Sequence, residues 1–191
     1  MEKARLDKII AGEGTYSRRE VRLLVRQGRV LVNGVPARSP EDKVVPEAVE
    51  IMVDGTVLHC RRYTWIMLHK PAGVLSATED GRGATVLDLL PPELRRRGLF
   101  PVGRLDKDTE GLLLLTNDGA WAQHLLHPKH EVEKTYHVSV FGPVAGAAAR
   151  LAAVTDLEGE PIRPARVEVL RETPGTAVLA VTIHEGKNRQ V

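Results

Sequence analysis

Apolar residues recur at helical spacing near the start of the chain and at strand spacing further on. Leu6, Ile9 and Ile10 form a short helical stripe that Gly12 and Gly14 break. Ser17-Arg18-Arg19-Glu20 has the form of a capping box, and the pattern predicts a helix from there to about Gln27, with Gly28 at its end. Val30-Leu31-Val32 and Val35-Pro36-Ala37 flank Asn33-Gly34, a hairpin signal, because Asn-Gly tolerates the positive φ of a type I′ turn. Val49 to Val53 is a further strand, turned by Asp54-Gly55.

Beyond this the pattern is mixed. Trp65 to His69 is a strand closed by the turn Lys70-Pro71-Ala72-Gly73. Thr85 to Leu90 reads as a short helix stopped by Pro91-Pro92, Arg95-Arg96-Arg97 as an exposed run, and Leu99 to Arg104 as a strand. Helices are expected at Trp121–Leu126 and Ala145–Val154. Thr135 to Phe141 alternates, with Tyr136, Val138 and Val140 on one face, and Val167–Leu170 and Val178–Ile183 are strands. The fold class is α+β: a small N-terminal α/β module over residues 1–59, a linker at 60–64, and a second domain over 65–191. That second domain is a largely antiparallel mixed sheet with flanking helices. There is no internal repeat.

Composition adds a core-forming 42% of hydrophobic residues and a net charge of +2, unevenly distributed. Residues 1–38 hold nine Lys or Arg against four acids, so this stretch is locally basic and suited to an anionic partner. At about 100° per residue, Arg18, Arg19, Arg22, Arg26 and Arg29 fall within an arc of about 100°, beside an apolar stripe of Val21, Leu24 and Val25. Five guanidinium groups on one face suit phosphates and the splayed bases of folded RNA. The single cysteine, Cys60, allows neither an internal disulfide nor a thiolate zinc cluster. The N-terminus lacks the apolar stretch of a signal peptide, and no apolar run nears the roughly 18 residues that span a bilayer, so no membrane association and a cytoplasmic location are expected.

The densest chemistry lies in residues 103–119, where Asp106, Asp108 and Glu110 crowd a turn before the apolar run Leu112–Leu115. Asp106-x-Asp108-x-Glu110 imitates the start of a calcium loop, but the twelfth position is Asn117 and the intervening leucines do not suit a solvated loop. A magnesium-dependent nuclease using Asp106 and Asp108 is a second reading. His124, His127 and His130 are spaced by three, but Pro128 interrupts their helix and zinc is not expected.

Two resemblances cover nearly the whole chain. Arg5-Leu6-Asp7-Lys8, Ser17-Arg18-Arg19-Glu20, Gly28-Arg29-Val30 and Val32-Asn33-Gly34 resemble the S4-type RNA-binding module. The run Gly103-Arg104-Leu105-Asp106-Lys107-Asp108-Thr109-Glu110-Gly111-Leu112 resembles the signature of pseudouridine synthases. His69-Lys70-Pro71-Ala72-Gly73, Leu112 to Gly119, Glu133-Lys134-Thr135-Tyr136-His137-Val138 and Glu185-Gly186-Lys187-Asn188-Arg189-Gln190-Val191 place it in the RsuA/RluB branch, which acts on ribosomal RNA.

The resemblance implies an isomerisation that cleaves the uracil–ribose bond, turns the base and rejoins it through carbon 5, with no metal and no other cofactor. Asp106 is the implied catalytic carboxylate, acting as nucleophile or as proton acceptor, ionised in a shielded pocket. Lys187 is its implied cationic neighbour, and Tyr136 the tyrosine that stacks on the target uracil. Arg104 is expected to hold the flipped nucleotide or its phosphate, and Lys70 to touch the RNA backbone. Asp108 and Glu110 are turn-shaping residues. The family pattern continues beyond Gln190-Val191, so the chain is read as truncated within the motif. The implied partner is ribosomal RNA or an assembling ribosomal particle, bound by a monomer. Lys107–Gly111 and Glu133–Tyr136 resemble the small-subunit type and Glu185–Val191 the large-subunit type; small-subunit RNA is the reading taken. The alternatives are large-subunit RNA and a non-catalytic RNA-binding or ribosome-assembly fragment.

Overall fold

The computed structural model describes residues 3–58, 60, 62–187 and 190–191. His59, the last residue of the expected N-terminal module, Arg61 in the expected linker, and Asn188 and Arg189 in the terminal stretch lie outside the described residues, as do Met1 and Glu2. The chain forms two compact units, Met1–Ala122 and Gln123–Val191. The fold is α+β, and all pairings between the described strands are antiparallel.

In the first unit β1 (Ala4–Arg5) leads into α1 (Leu6–Gly12) and then α2 (Arg18–Arg26). The capping box of α2 is complete. Ser17 Oγ accepts from the Glu20 amide, and the Glu20 carboxylate accepts from the Ser17 amide at 2.6 Å. Strands β2 (Val30–Val32) and β3 (Val35–Pro36) form the expected hairpin, with φ of 50° at Asn33 and 76° at Gly34. β4 (Lys43–Val44) pairs with β1, while β5 (Ile51–Val53) and β6 (Thr56–Leu58) extend the hairpin into a four-stranded sheet of order β3-β2-β5-β6. Leu6, Ile10, Val21, Val30 and Ile51 are fully buried between helices and sheet. Each such side chain contributes about 1.5–3 kcal/mol of burial.

The same unit continues with β7 (Trp65–Lys70), α3 (Pro92–Arg95), β8 (Phe100–Pro101) and β9 (Gly111–Thr116) in a sheet of order β7-β9-β8. Val86, Leu99, Leu113 and Leu115 form its core. Four expectations change here. Thr85–Leu90 is a run of turns, not a helix, because Thr85 is held in a bridge to Leu75 and the Val86 amide donates to Leu75 O at 2.9 Å, which takes the start of the segment out of helical register. Pro92 opens α3 instead of stopping a helix, since a first-turn proline has no partnered amide to lose. The run Arg95-Arg96-Arg97 is not uniformly exposed: the Arg97 side chain is 17% exposed and pairs with Glu13 at 2.8 Å. The strand expected over Leu99–Arg104 is confined to Phe100–Pro101.

The second unit begins within α4 (Gly119–Leu126) and centres on a three-stranded sheet of order β10-β14-β13. β10 (Lys134–Phe141) keeps the expected alternation, with Tyr136, Val138 and Val140 turned to the core. α5 (Ala147–Ala152) is shorter than expected. A small hairpin of β11 (Asp156–Leu157) and β12 (Glu160–Pro161), not foreseen from the sequence, precedes β13 (Arg166–Thr173) and the buried central strand β14 (Thr176–Ile183). Among the described residues no helix is long and apolar enough to cross a membrane.

Candidate active site

The acidic turn sits where β7 and β9 meet. These strands pair so that Lys70, the last residue of β7, lies opposite Gly111, the first of β9. The intervening chain runs out from Lys70, rejoins the sheet as β8 on the far edge of β9, and comes back to the neck at Gly111. Lys70 is fully buried, and its ammonium donates to the carbonyls of Pro71, Lys107 and Thr109 at 3.0, 2.9 and 2.8 Å. Burial lowers its pKa, while the charges of Asp108, Asp106 and Glu110 act in the opposite direction. The Gly73 amide adds a bond to Lys107 O at 2.8 Å.

A second clamp holds the other side. Ser76 Oγ donates to Leu105 O at 2.7 Å and accepts from the Leu105 amide at 3.1 Å. The turn itself is closed by the Thr109 amide on Asp106 O at 3.1 Å. The backbone on both sides of Asp106 is therefore pinned while its side chain remains exposed. The expectation of a shielded Asp106 is not met: its residue is open to solvent in this structure. Arg104 is exposed two residues earlier and makes no ion pair among the described residues.

Lys70 also departs from expectation. Its three donors are taken by main-chain carbonyls, so it supports the turn from below and presents no charge to RNA. Sequence gave no warning of this, because a lysine at the end of a strand normally reaches solvent. Ser76 carried no signal at all.

Tyr136 and Lys187 belong to the second unit. Tyr136 is half-buried on β10, opposite Val181 of β14. The Lys187 ammonium pairs with Glu160 of β12 at 2.8 Å, and this carboxylate raises its pKa. The rings of His124 and His130 approach to 3.9 Å, but no group of three or more potential metal ligands forms among the described residues.

On α2 the exposed face carries Arg18, Arg19, Arg22 and Arg26. Arg29 does not belong to it. The helix ends at Arg26, and Arg29 forks onto Asp54, its Nε and Nη2 donating at 2.6 and 2.7 Å. Projecting helical angles past Gly28 placed it wrongly. The buried Asp7 carboxylate lies under this face. It accepts two bonds from Arg5, which hold its pKa below the usual carboxylate range, and lies 3.7 Å from Arg22 Nε.

Comparisons with known proteins agree with this arrangement. Residues 64–191 match the family model for RNA pseudouridylate synthase, and residues 4–49 match that for the S4 domain. An uncharacterised RNA pseudouridine synthase of Bacillus subtilis is 44% identical over 98% of this chain and 79% of its own length. Ribosomal large subunit pseudouridine synthase B of the same organism is 40% identical over 98% of this chain and 77% of its own. Ribosomal small subunit pseudouridine synthase A of Vibrio cholerae is also 40% identical, over 98% and 80%. A crystal structure of a pseudouridylate synthase superposes with a TM-score of 0.59 at 32% identity, covering 97% of this chain and 79% of that one. The family model spans more than half of the chain and relatives align along nearly all of it, so the chain belongs to the RNA pseudouridine synthases, isomerases that carry an S4 domain here at the N-terminus.

Proposed function

We propose that this chain converts one uridine of ribosomal RNA to pseudouridine, with small-subunit RNA as its substrate and Asp106 as the catalytic carboxylate. The observation that carries the reading is the double clamp on the Asp106 turn. Lys70 and Ser76 fix the main chain on both sides of a carboxylate that projects freely. A group held in this way meets a flipped nucleotide without reorganising its own backbone. Relatives named for each subunit support ribosomal RNA as the substrate class. The small-subunit choice rests on the Lys107–Gly111 and Glu133–Tyr136 stretches.

In this reading residues 1–59 dock the RNA, 60–64 join the parts and 65–191 perform the chemistry. Asp106 assists departure of the base, by attack on the sugar or by taking a proton from it. The bond from carbon 1′ to nitrogen 1 breaks and the bond to carbon 5 forms. The proton at carbon 5 is lost and nitrogen 1 gains one, so the reaction balances without oxidant or cofactor. Arg104 holds the extruded nucleotide, Tyr136 stacks on its base, and Lys187 supplies positive charge. Shielding of Asp106 comes with the RNA itself. The enzyme acts as a monomer.

The test is pseudouridine formation on small- and large-subunit transcripts in EDTA, mapped by carbodiimide labelling and primer extension. One new site in small-subunit RNA is expected, and Asp106→Asn should lower its rate by at least about a hundredfold. A product on large-subunit RNA alone would reverse the substrate choice. Full activity in Asp106→Asn would remove that residue from the chemistry.

A further inference from the structure

Arg97 sits where the N-terminal module meets the sheet that carries the Asp106 turn. Its guanidinium Nη2 donates to the carboxylate and the carbonyl of Glu13 at 2.8 and 3.3 Å. Nη1 donates to Thr64 Oγ1 at 3.1 Å, and the Arg97 carbonyl accepts from Asn117 Nδ2 at 3.1 Å. Asn117 in turn accepts from the Thr64 amide at 2.9 Å, directly beyond the end of β9. The Glu13 and Arg97 side chains are only 11% and 17% exposed, so this ion pair is screened little by solvent. Gly14 presses against the start of α3: a Cβ there would stand 2.0 Å from Glu93 O, and its φ is +86°.

We infer that Arg97 is a positioning residue that locks the RNA-docking module to the catalytic sheet, and so determines which uridine reaches Asp106. The inference rests on the proposed reading of α2 and Asp106. Its physical content is a fixed distance. Guanidinium groups on α2 grip the RNA at one place, and Asp106 acts at another. With the Glu13–Arg97–Thr64–Asn117 network intact, the spacing between them is a property of the fold. Without it, only the joining segment, the Gly14–Glu93 packing and one bond from Arg96 to Gly14 O at 3.3 Å relate the two, and several uridines near the target come within reach. A polar network this covered serves geometry more than stability, because a buried ion pair recovers little beyond its own desolvation.

Two lesions on different atoms test this. Arg97→Met removes the donors and keeps the aliphatic stem; Gly14→Val drives a side chain into Glu93 O. Hydrogen exchange should show the Thr64 amide, which donates to Asn117 Oδ1, losing protection in both variants while α2 stays protected, which separates undocking from unfolding. On long ribosomal transcripts the single product should spread to neighbouring uridines, with kcat/KM at the target down about ten- to a hundredfold. On a short stem-loop that reaches only the catalytic part, kcat should be unchanged. Continued protection of the Thr64 amide, or an unchanged product map, overturns the inference. If the wild type forms no pseudouridine at all, it is the proposed function that fails, and the exchange data on free protein still decide whether Arg97 holds the junction.

Discussion

Lys70 puts an ammonium where water does not reach and surrounds it with three carbonyls. Replacing it by methionine keeps the length of the side chain but leaves those acceptors without their donor. The expected loss is about 1–3 kcal/mol of stability, read by denaturant unfolding, with catalysis lost more steeply as the Asp106 turn loosens. The pH dependence has a definite sign. Burial lowers the Lys70 pKa from 10.5, so between that lowered value and 10.5 the folded chain binds fewer protons than the unfolded one. This residue's contribution to stability therefore grows as the pH rises through that interval. The stability gap between wild type and Lys70→Met should widen towards pH 10.5, and a gap that narrows would contradict the assignment. The sequence showed the Asp106 turn itself, because carboxylates beside an apolar run are an unusual local pattern. It did not show what anchors the turn. Lys70 and Ser76 reach it only through the antiparallel return of β9 onto β7, and no local spacing encodes that contact.

The element most completely written in local sequence is α2. Its cap, apolar stripe and glycine stop all lie within residues 17–28, and the structure reproduces each. The cap is a separable contribution. Ser17→Ala should lower the stability of the N-terminal module by about 1 kcal/mol, visible as a reduced midpoint of thermal unfolding. Elements that depend on distant partners were less legible. Thr85–Leu90 has helix-like spacing, but a bridge from Thr85 to Leu75, ten residues earlier, decides against a helix. The β11–β12 hairpin is too short and polar to show a period, and it forms around an Asp156 carboxylate that accepts from the Gly159 amide at 2.9 Å. Arg97 looked like one of three solvated arginines, although its partner Glu13 is far away in sequence.

At the scale of the molecule, charge separates from chemistry. Basic charge is concentrated in residues 1–38, nine Lys or Arg against four acids, while the Asp106 carboxylate hangs from a sheet that begins at Trp65. Binding and turnover should therefore respond to different substitutions. Arg22→Ala combined with Arg26→Ala should weaken RNA binding and reduce the slope of log affinity against log salt by about 1.4, the value for two phosphate contacts on single-stranded RNA. Filter binding across a salt series measures this directly, and an unchanged slope would take α2 out of the interface. Arg22 also approaches Asp7, so the single variants should be compared with the double.

The neck at Lys70 and Gly111 has one further consequence. The chain that departs there carries an exposed tip over residues 78–84, turned on itself by Asp80, whose carboxylate accepts from the amides of Arg82 and Gly83. Everything that fixes Asp106 lies outside that tip, at Lys70, Gly73, Ser76 and Thr109. The tip is tied back at its base, where Ala84 O accepts from the Leu75 amide at 3.0 Å beside Ser76, so only residues 79–82 are separated from the Asp106 turn. Changes of length and sequence at 79–82 should therefore leave the geometry of the Asp106 turn as it is, so this loop is free to vary while the turn stays fixed.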